Sequence, residues 1–346
     1  MEKQIIPAEK LMEISRNITQ PQEIPKYTFA THNDGTMFLP LHAVRGGDIY
    51  RGQHRRYTPC VPNIWRGLQH THLMRQMSIE DQAKAVLQHA KSLWFCRDIE
   101  DHPAIKWARD KKIYVDKFSL AQHYELFTDY LDFSHNFSVA AFFATCCKNY
   151  DHWEPVKDGI GVIYLLQPSE LWNELPAEMI FETVKPVMLQ ALPRPEEQSG
   201  WVVEVPLGYD LELYPSVNCV EFTQSEKVSK YFLELFDGGK KLFPKDEVST
   251  VANKIKQWTG PIDEAFVDKI IDHWASNDDG IDRPLDVKKA VSLMTGLGNV
   301  PNYMLEEDLS QIESMWKEKQ EKFNQPCEVY TIDEQGKFER LRVEHK

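Results

Sequence analysis

Strand-length apolar runs and helical stripes lie interspersed along this chain, and that mixture most limits what it can fold into. Asp48-Ile49-Tyr50-Arg51 reads as a strand, with Gly46-Gly47 before it and Gly52 after. Gly159 to Leu166, Val184 to Leu189 and Trp201 to Val205 are apolar runs of strand length. Between these runs, Ile79, Ala83, Val86, Leu87, Ala90, Leu93 and Trp94 recur at helical spacing over residues 79–94. Ser78 stands where an N-cap belongs, with Asp81 three residues on. A further helix follows Ser134, where Phe137, Ala140, Ala141, Ala144 and Cys147 share a face. The pattern predicts an α+β fold, a mixed or antiparallel sheet core with flanking helices.

The ends differ from this middle. A short helix is expected around residues 7–17, then a loop-rich approach through Pro21, Pro25 and Thr31-His32-Asn33-Asp34-Gly35. Beyond residue 216 the chain turns mainly helical. Ser225 to Phe236 is a helix stopped by Gly238-Gly239, and segments 246–258, 262–275, 285–294 and 303–324 read as further helices. Cys327 to Val343 reads as a closing hairpin that turns at Asp333-Glu334-Gln335-Gly336. The 346 residues therefore divide into a lead-in (1–37), an α+β domain (38–216) and a mainly helical C-terminal region with a terminal β-hairpin (217–346).

With 42% hydrophobic residues the chain has ample material for a core. Its 40 basic and 53 acidic residues leave a net charge of −13, which argues against bulk attraction to nucleic acid or an anionic membrane. The start, Met1 to Pro7, has no apolar run of signal-peptide length, and Val139 to Cys147 is about half a membrane span. The six cysteines (60, 96, 146, 147, 219 and 327) form no C-x-x-C pair. Cys146 and Cys147 fall on an expected helix, where neighbouring side chains diverge. Reduced, buried thiols and a cytoplasmic setting are the expectation.

Three segments carry the chemistry. From Arg51 to Ile79 there is no acidic residue, but five arginines (51, 55, 56, 66 and 75) and three histidines (54, 70 and 72). Guanidinium forks suit phosphate or carboxylate, so this island points to an anionic ligand; pairing with surplus carboxylates elsewhere is the plain alternative. Arg51 stands out because it ends a strand beside Gly52, which would let a ligand approach the backbone. The second segment, Gln122-His123-Tyr124 through Thr128 to Asp132-Phe133-Ser134, crowds hydrogen-bonding groups ahead of a helix N-terminus. Asp132 or Ser134 could instead merely cap that helix. The histidines lack metal-ligand spacing, and no metal is expected. The third, Arg194 to Trp201, sets Glu196, Glu197 and Gln198 at the mouth of an apolar strand, with an exposed acidic loop as the plain reading. No P-loop, dinucleotide-binding glycine loop or G-x-S-x-G is present.

Together these pieces resemble the FRG domain family, named for a Phe-Arg-Gly triplet. The resemblance rests on Tyr50-Arg51-Gly52-Gln53, Gln122-His123-Tyr124 with Thr128, Leu131-Asp132-Phe133-Ser134, Ala140 to Ala144, and Arg194 with Gln198-Ser199-Gly200-Trp201. It covers roughly residues 40–210. Tyr50 replaces the family Phe, and Ser134 stands where Thr is usual. The resemblance implies a bacterial or phage protein. It makes Tyr50, Gly52, Gln53, Gln122, His123, Tyr124, Thr128, Asp132 and Arg194 candidate ligand contacts.

More distantly, the chain is similar to ADP-ribosyltransferases of the Arg–Ser–Glu type. By that likeness Arg51 would hold the pyrophosphate or ribose of NAD, and Ser134 would supply the middle hydroxyl. Glu196 or Gln198 would stand at the final position, although an amide there could not act by charge. NAD is implied as a substrate rather than as a resident cofactor. The implied role is bacterial toxin or anti-phage defence, and the structural expectation is that Arg51, His123, Asp132 and Gln198 line one cleft. The rival is a non-catalytic recognition or scaffold module in which Arg51 and Asp132 form a buried ion pair. Nucleic-acid binding by the 51–79 island is the weaker third. The C-terminal helices show no chemistry and read as a partner-docking surface, a regulatory unit or a buttress.

Overall fold

The computed structural model describes residues 5–18, 27–32, 35–40, 47–150, 152–168, 183–187, 192–276, 280–304, 306–324, 328–332 and 338–341. The fold is α+β. Its main sheet has seven strands: β1 (Ile6–Pro7), β4 (Ile49–Gln53), β6 (Tyr130–Ser134), β9 (Ile160–Leu166), β10 (Val184–Pro186), β11 (Gly200–Glu204) and β12 (Val217–Thr223). The order is β1-β12-β9-β4-β6-β11-β10. Among the described residues of this sheet, only the β1–β12 pair is parallel. A second sheet, β14-β13-β2-β3-β5, joins strands from both ends of the chain: β2 (Tyr27–His32), β3 (Gly35–Pro40), β5 (Ile113–Tyr114), β13 (Glu328–Ile332) and β14 (Phe338–Leu341).

Several expected elements stand where the periodicity put them. Helix α1 spans Glu9–Asn17 and α2 spans Ile79–Asp98. Ser78 Oγ accepts from the Asp81 N–H at 3.1 Å, as an N-cap should. Helices α3 (Pro103–Asp110), α4 (Lys117–His123), α5 (Phe137–Thr145) and α6 (Pro193–Gln198) lie within the central part of the chain. In the C-terminal part come α7 (Glu226–Leu235), α8 (Glu247–Gln257), α9 (Glu264–Ala275), α10 (Pro284–Thr295) and α11 (Glu306–Asn324). Helices α4, α8, α9 and α10 all pack on α2, whose Val86, Ala90, Trp94 and Phe95 are fully buried. Among the described residues no helix is long and apolar enough to cross a membrane.

Four expectations need correction. Thr31-His32 is not loop but the end of β2, paired with β3, because the hairpin is closed by partners from distant chain. Asn33-Asp34, Pro21 and Pro25 lie outside the described residues. Cys146 and Cys147 are on a strand, β7 (Cys146–Asn149), which pairs with β8 (His152–Pro155); helix α5 ends at Thr145, whose hydroxyl folds back onto the Ala141 carbonyl at 2.8 Å. The cap of α5 is Asn136, whose side chain accepts from the Ser138 N–H, not Asp132 or Ser134. Strand β12 was not foreseen, yet it sits inside the sheet between β1 and β9. Cys60, Cys96 and Cys146 are buried, and Cys147 and Cys219 are partly exposed. Cys327, Leu189 and the turn at 333–336 lie outside the described residues.

Candidate functional site: a cleft where the sheet splits

Strands β4 and β6 are neighbours, but their ladder holds only at Tyr50 opposite Ser134. One strand further, Ser134 pairs with Gly200 on β11. Thus a single row across three strands brings together the aromatic-Arg-Gly element, the Ser element and the late Gln-Ser-Gly element. Past this row β4 leaves β6 and completes its pairing with β9 alone, Arg51 opposite Tyr164. The Arg51 guanidinium fills the seam, its Nη1 donating to the Asp132 main-chain carbonyl at 2.8 Å. A side chain here takes the place of a missing ladder bond.

A cleft of about 240 Å³ opens at this split, and its lining includes Tyr50, Arg51, Gly52, Asn63, Arg66, Gln122, His123, Glu125, Asp132, Ser134, Phe143, Trp153, Gln198 and Phe243. On its floor the Asp132 carboxylate accepts from Gln122 Nε2 at 2.7 Å and from His123 Nδ1 at 2.8 Å. The Gln122 amide is oriented from behind, because Thr128 Oγ1 donates to its carbonyl oxygen at 2.5 Å. Asn63 fixes the turn above, donating to the Leu126 carbonyl and accepting from the Thr128 N–H. Although protein surrounds Asp132, 39% of its side chain stays open through the mouth of the cleft. Burial pushes this carboxyl up, but the hydrogen bond and charge of His123, the Arg51 guanidinium and the Gln122 amide outweigh it and hold the group below the usual range. The result is an ionised acceptor that faces the cleft at neutral pH.

The His123 ring is nearly sealed, with 1% of its side chain exposed and its Nε2 lacking a hydrogen-bond partner. It presses on Gly200: a Cβ at that position would lie 1.9 Å from Nε2. The glycine of the late motif therefore makes room for the histidine of the middle one. Gly52 has a similar function with a different neighbour. A Cβ there would meet the Ala140 carbonyl oxygen at 1.8 Å, so the space expected for a ligand is taken by helix α5. Ser134 Oγ donates to the Gln198 carbonyl at 2.7 Å and accepts from the Asn136 N–H at 2.9 Å. Gln198 Nε2 in turn donates to the Leu242 carbonyl at 2.9 Å.

Of the candidate residues, Tyr50, Arg51, Gly52, Gln122, His123, Asp132, Ser134 and Gln198 line the cleft, while Gln53, Tyr124, Thr128, Arg194 and Glu196 do not. Tyr124 is fully buried and donates to Asp246 at 2.8 Å. Arg194 lies between the rings of Tyr124 (4.9 Å) and Phe243 (5.2 Å), and donates to the His123 carbonyl at 3.2 Å. It positions the histidine turn from outside the cleft. Gln53 is buried beside Cys60. The segment from Pro193 is not an exposed acidic loop but helix α6, with Arg194 and Gln198 facing inward. Glu196 sits on that helix away from the lining.

The basic island divides. Arg51 and Arg66 reach the cleft, and burial followed by the Arg51 charge pushes the Arg66 guanidinium down. Arg56 is instead held by Glu212 and Glu221, and Arg55 lies over the Tyr57 ring at 4.8 Å. Asn63, Glu125, Trp153 and Phe243 escaped sequence reasoning. Trp153 and Phe243 stack at 5.3 Å and 23°, with Phe143 edge-on to both, to make an aromatic wall. Nothing local in the sequence marks that wall, since its members come from helix α5, strand β8 and the loop before α8. Among the described residues no group of three or more His, Cys, Asp or Glu could hold a metal ion.

Residues 47–152 match the family model of the FRG domain. No curated protein and no solved structure matches the chain. The matched segment holds Arg51, Gln122, His123, Asp132 and Ser134, while Trp153, Gln198, Gly200 and Phe243 follow it in the chain.

Proposed function

Because this chain carries an FRG domain at residues 47–152, we propose that the domain, completed by the segments that follow it, binds a nucleotide-type anion, with NAD as the ligand whose chemistry suits the cleft best. One observation carries the reading. Arg51, the Gln122-His123-Asp132 group and Gln198, drawn from three distant stretches of chain, line a single cleft. Two guanidinia suit the charge of a pyrophosphate, and the aromatic wall suits a planar ring. The ionised Asp132 faces the space between them, where a ribose would offer hydroxyl donors.

The catalytic extension is ADP-ribosyltransferase-like cleavage. The bond between nicotinamide nitrogen and ribose C1′ breaks, nicotinamide leaves with the electron pair, and water or an acceptor group attacks C1′ and gives up its proton. A carboxylate near an oxocarbenium-like centre lowers such a barrier by charge. Asp132 is the group placed for it; Gln198 lends only an amide, and Glu196 stands off the lining. In a bacterial or phage setting this chemistry would serve toxin or anti-phage defence.

A second reading draws on the Arg51 contact itself. Its partner is the Asp132 main-chain carbonyl and not the carboxylate that the expected ion pair would use, so the rival reading is left with an arginine that braces two strands. Titration with NAD and an assay of nicotinamide release separate the two. Wild type is expected to bind, Arg51→Ala to lose affinity by about tenfold or more, and Asp132→Asn to retain binding but lose turnover. Arg56→Ala, outside the cleft, should leave affinity unchanged. Equal affinity and turnover in wild type and Arg51→Ala would remove the nucleotide reading and leave the brace.

A further inference from the structure

Glu125 lines the rim of the same cleft, directly after the end of α4. Its backbone is left-handed, with φ of +64°. At this point past a helix end glycine or asparagine is the usual residue, because a side chain here costs about 1 kcal/mol. Glutamate at such a position needs a reason. The carboxylate has one: Lys148 Nζ from β7 reaches it at 2.6 Å and Lys256 Nζ from α8 at 2.9 Å. Three segments far apart in sequence thus converge on one anionic group beside a cleft that already holds two guanidinia. Lys148 also lies 5.7 Å from the ring of Phe243, part of the aromatic wall. Burial opposes the charge on both Glu125 and Lys256. Even so, the two ammonium groups hold the Glu125 carboxyl down at about 2.

A free carboxylate at the mouth of an anion cleft would repel the ligand. Here it is neutralised, and the ammonium groups that neutralise it form a cationic seat of their own. Lys148 and Lys256 meet the cleft through Glu125 and do not themselves line it. We propose that they form a second anion subsite beside its rim, which the Glu125 carboxylate fills in this structure, and that one anionic group of a diphosphate-bearing nucleotide takes its place. The inference rests on the nucleotide reading above and narrows it. A diphosphate would reach from Arg51 and Arg66 towards the lysine pair, whereas a monophosphate would be held by the arginines alone.

Calorimetric titrations with ADP and AMP test this. Glu125→Gln removes the competing charge and frees both lysines, so ADP should bind about tenfold tighter while AMP changes by less than about twofold. Glu125→Gly should behave alike, and it suits the left-handed backbone if the glutamine variant folds poorly. Lys148→Ala with Lys256→Ala should abolish the preference for ADP over AMP. An unchanged ADP-to-AMP ratio in both Glu125 variants, each folded by circular dichroism, would overturn the subsite. Arg51→Ala tells the two failures apart. If it loses both nucleotides while the rim variants keep the wild-type ratio, only the subsite fails. If wild type and Arg51→Ala bind ADP equally, or no variant binds it, the nucleotide reading falls and the subsite with it.

Discussion

Gly200 and His123 are 77 positions apart by their numbering, yet neither makes physical sense without the other. The ring needs a surface without a Cβ, and the strand residue next to Ser134 supplies it. Gly200→Ala must displace the imidazole or the strand. It should cost about 1–3 kcal/mol by overpacking and weaken nucleotide binding about as much as His123→Ala does. Urea denaturation and titration of the two variants check this; a Gly200→Ala protein with wild-type stability and affinity would contradict it. The sequence marked both residues through motif spacing. It gave Gly52 the wrong neighbour, since an alphabet of residue types cannot say whether a ligand or a helix uses the space. It also could not assign Arg56, whose carboxylate partners lie about 160 positions away.

At the scale of elements, long periodic segments were legible and short ones were not. The 20-residue helix α2 repeats its apolar stripe often enough to be read. Helix α6 has six residues, two of them proline and two glutamate, and only the burial of Arg194 and Gln198 reveals that it faces inward. Strand β12 was missed because Val217, Cys219, Val220 and Phe222 change face partway along it. Helix α3 offers a test of how an element is held. Its N-cap is His102, whose Nδ1 accepts from the Ala104 N–H at 3.1 Å. Burial, then the Lys319 charge, push this histidine down to about 4 from 6.5. The unfolded chain therefore takes up the proton first as pH falls below 6.5. Stability is lost progressively until about pH 4, by up to about 3 kcal/mol. His102→Asn keeps a capping acceptor but cannot titrate, so its melting temperature should fall less than wild type between pH 6.5 and 4. Parallel decline of the two would show that His102 does not set this slope.

Across the whole molecule, the region past residue 216 meets both the cleft lining and the buried Tyr124 outside it. The Leu242 carbonyl accepts from Gln198, Phe243 stacks on Trp153, Asp246 accepts from Tyr124 and Lys256 donates to Glu125. Sequence patterning read these helices as free of chemistry, since their contribution is made by single residues at the start and end of elements. Strand β12 from the same region lies within the main sheet, and β13 lies beside β2 in the second. A fragment of residues 38–216 is thus expected to be poorly folded, with a broad, low-temperature melt, and the full chain to unfold in one sharp transition. A fragment as stable as the full chain would mean that the C-terminal region is an appendage and that residue 216 is a true boundary. The meeting of Arg51, His123, Asp132 and Gln198 was legible because motif order carries it; the aromatic wall was not, because no motif does.

One atom, Nη1 of Arg51, closes the seam between β4 and β6, and under the nucleotide proposal the same guanidinium would grip the anion. Backbone ladders are indifferent to solutes, whereas a guanidinium can trade partners. Under that proposal, ligand capture and the cohesion of two neighbouring strands would draw on the same donor, and whatever competes for it would alter the stiffness of the sheet at its centre.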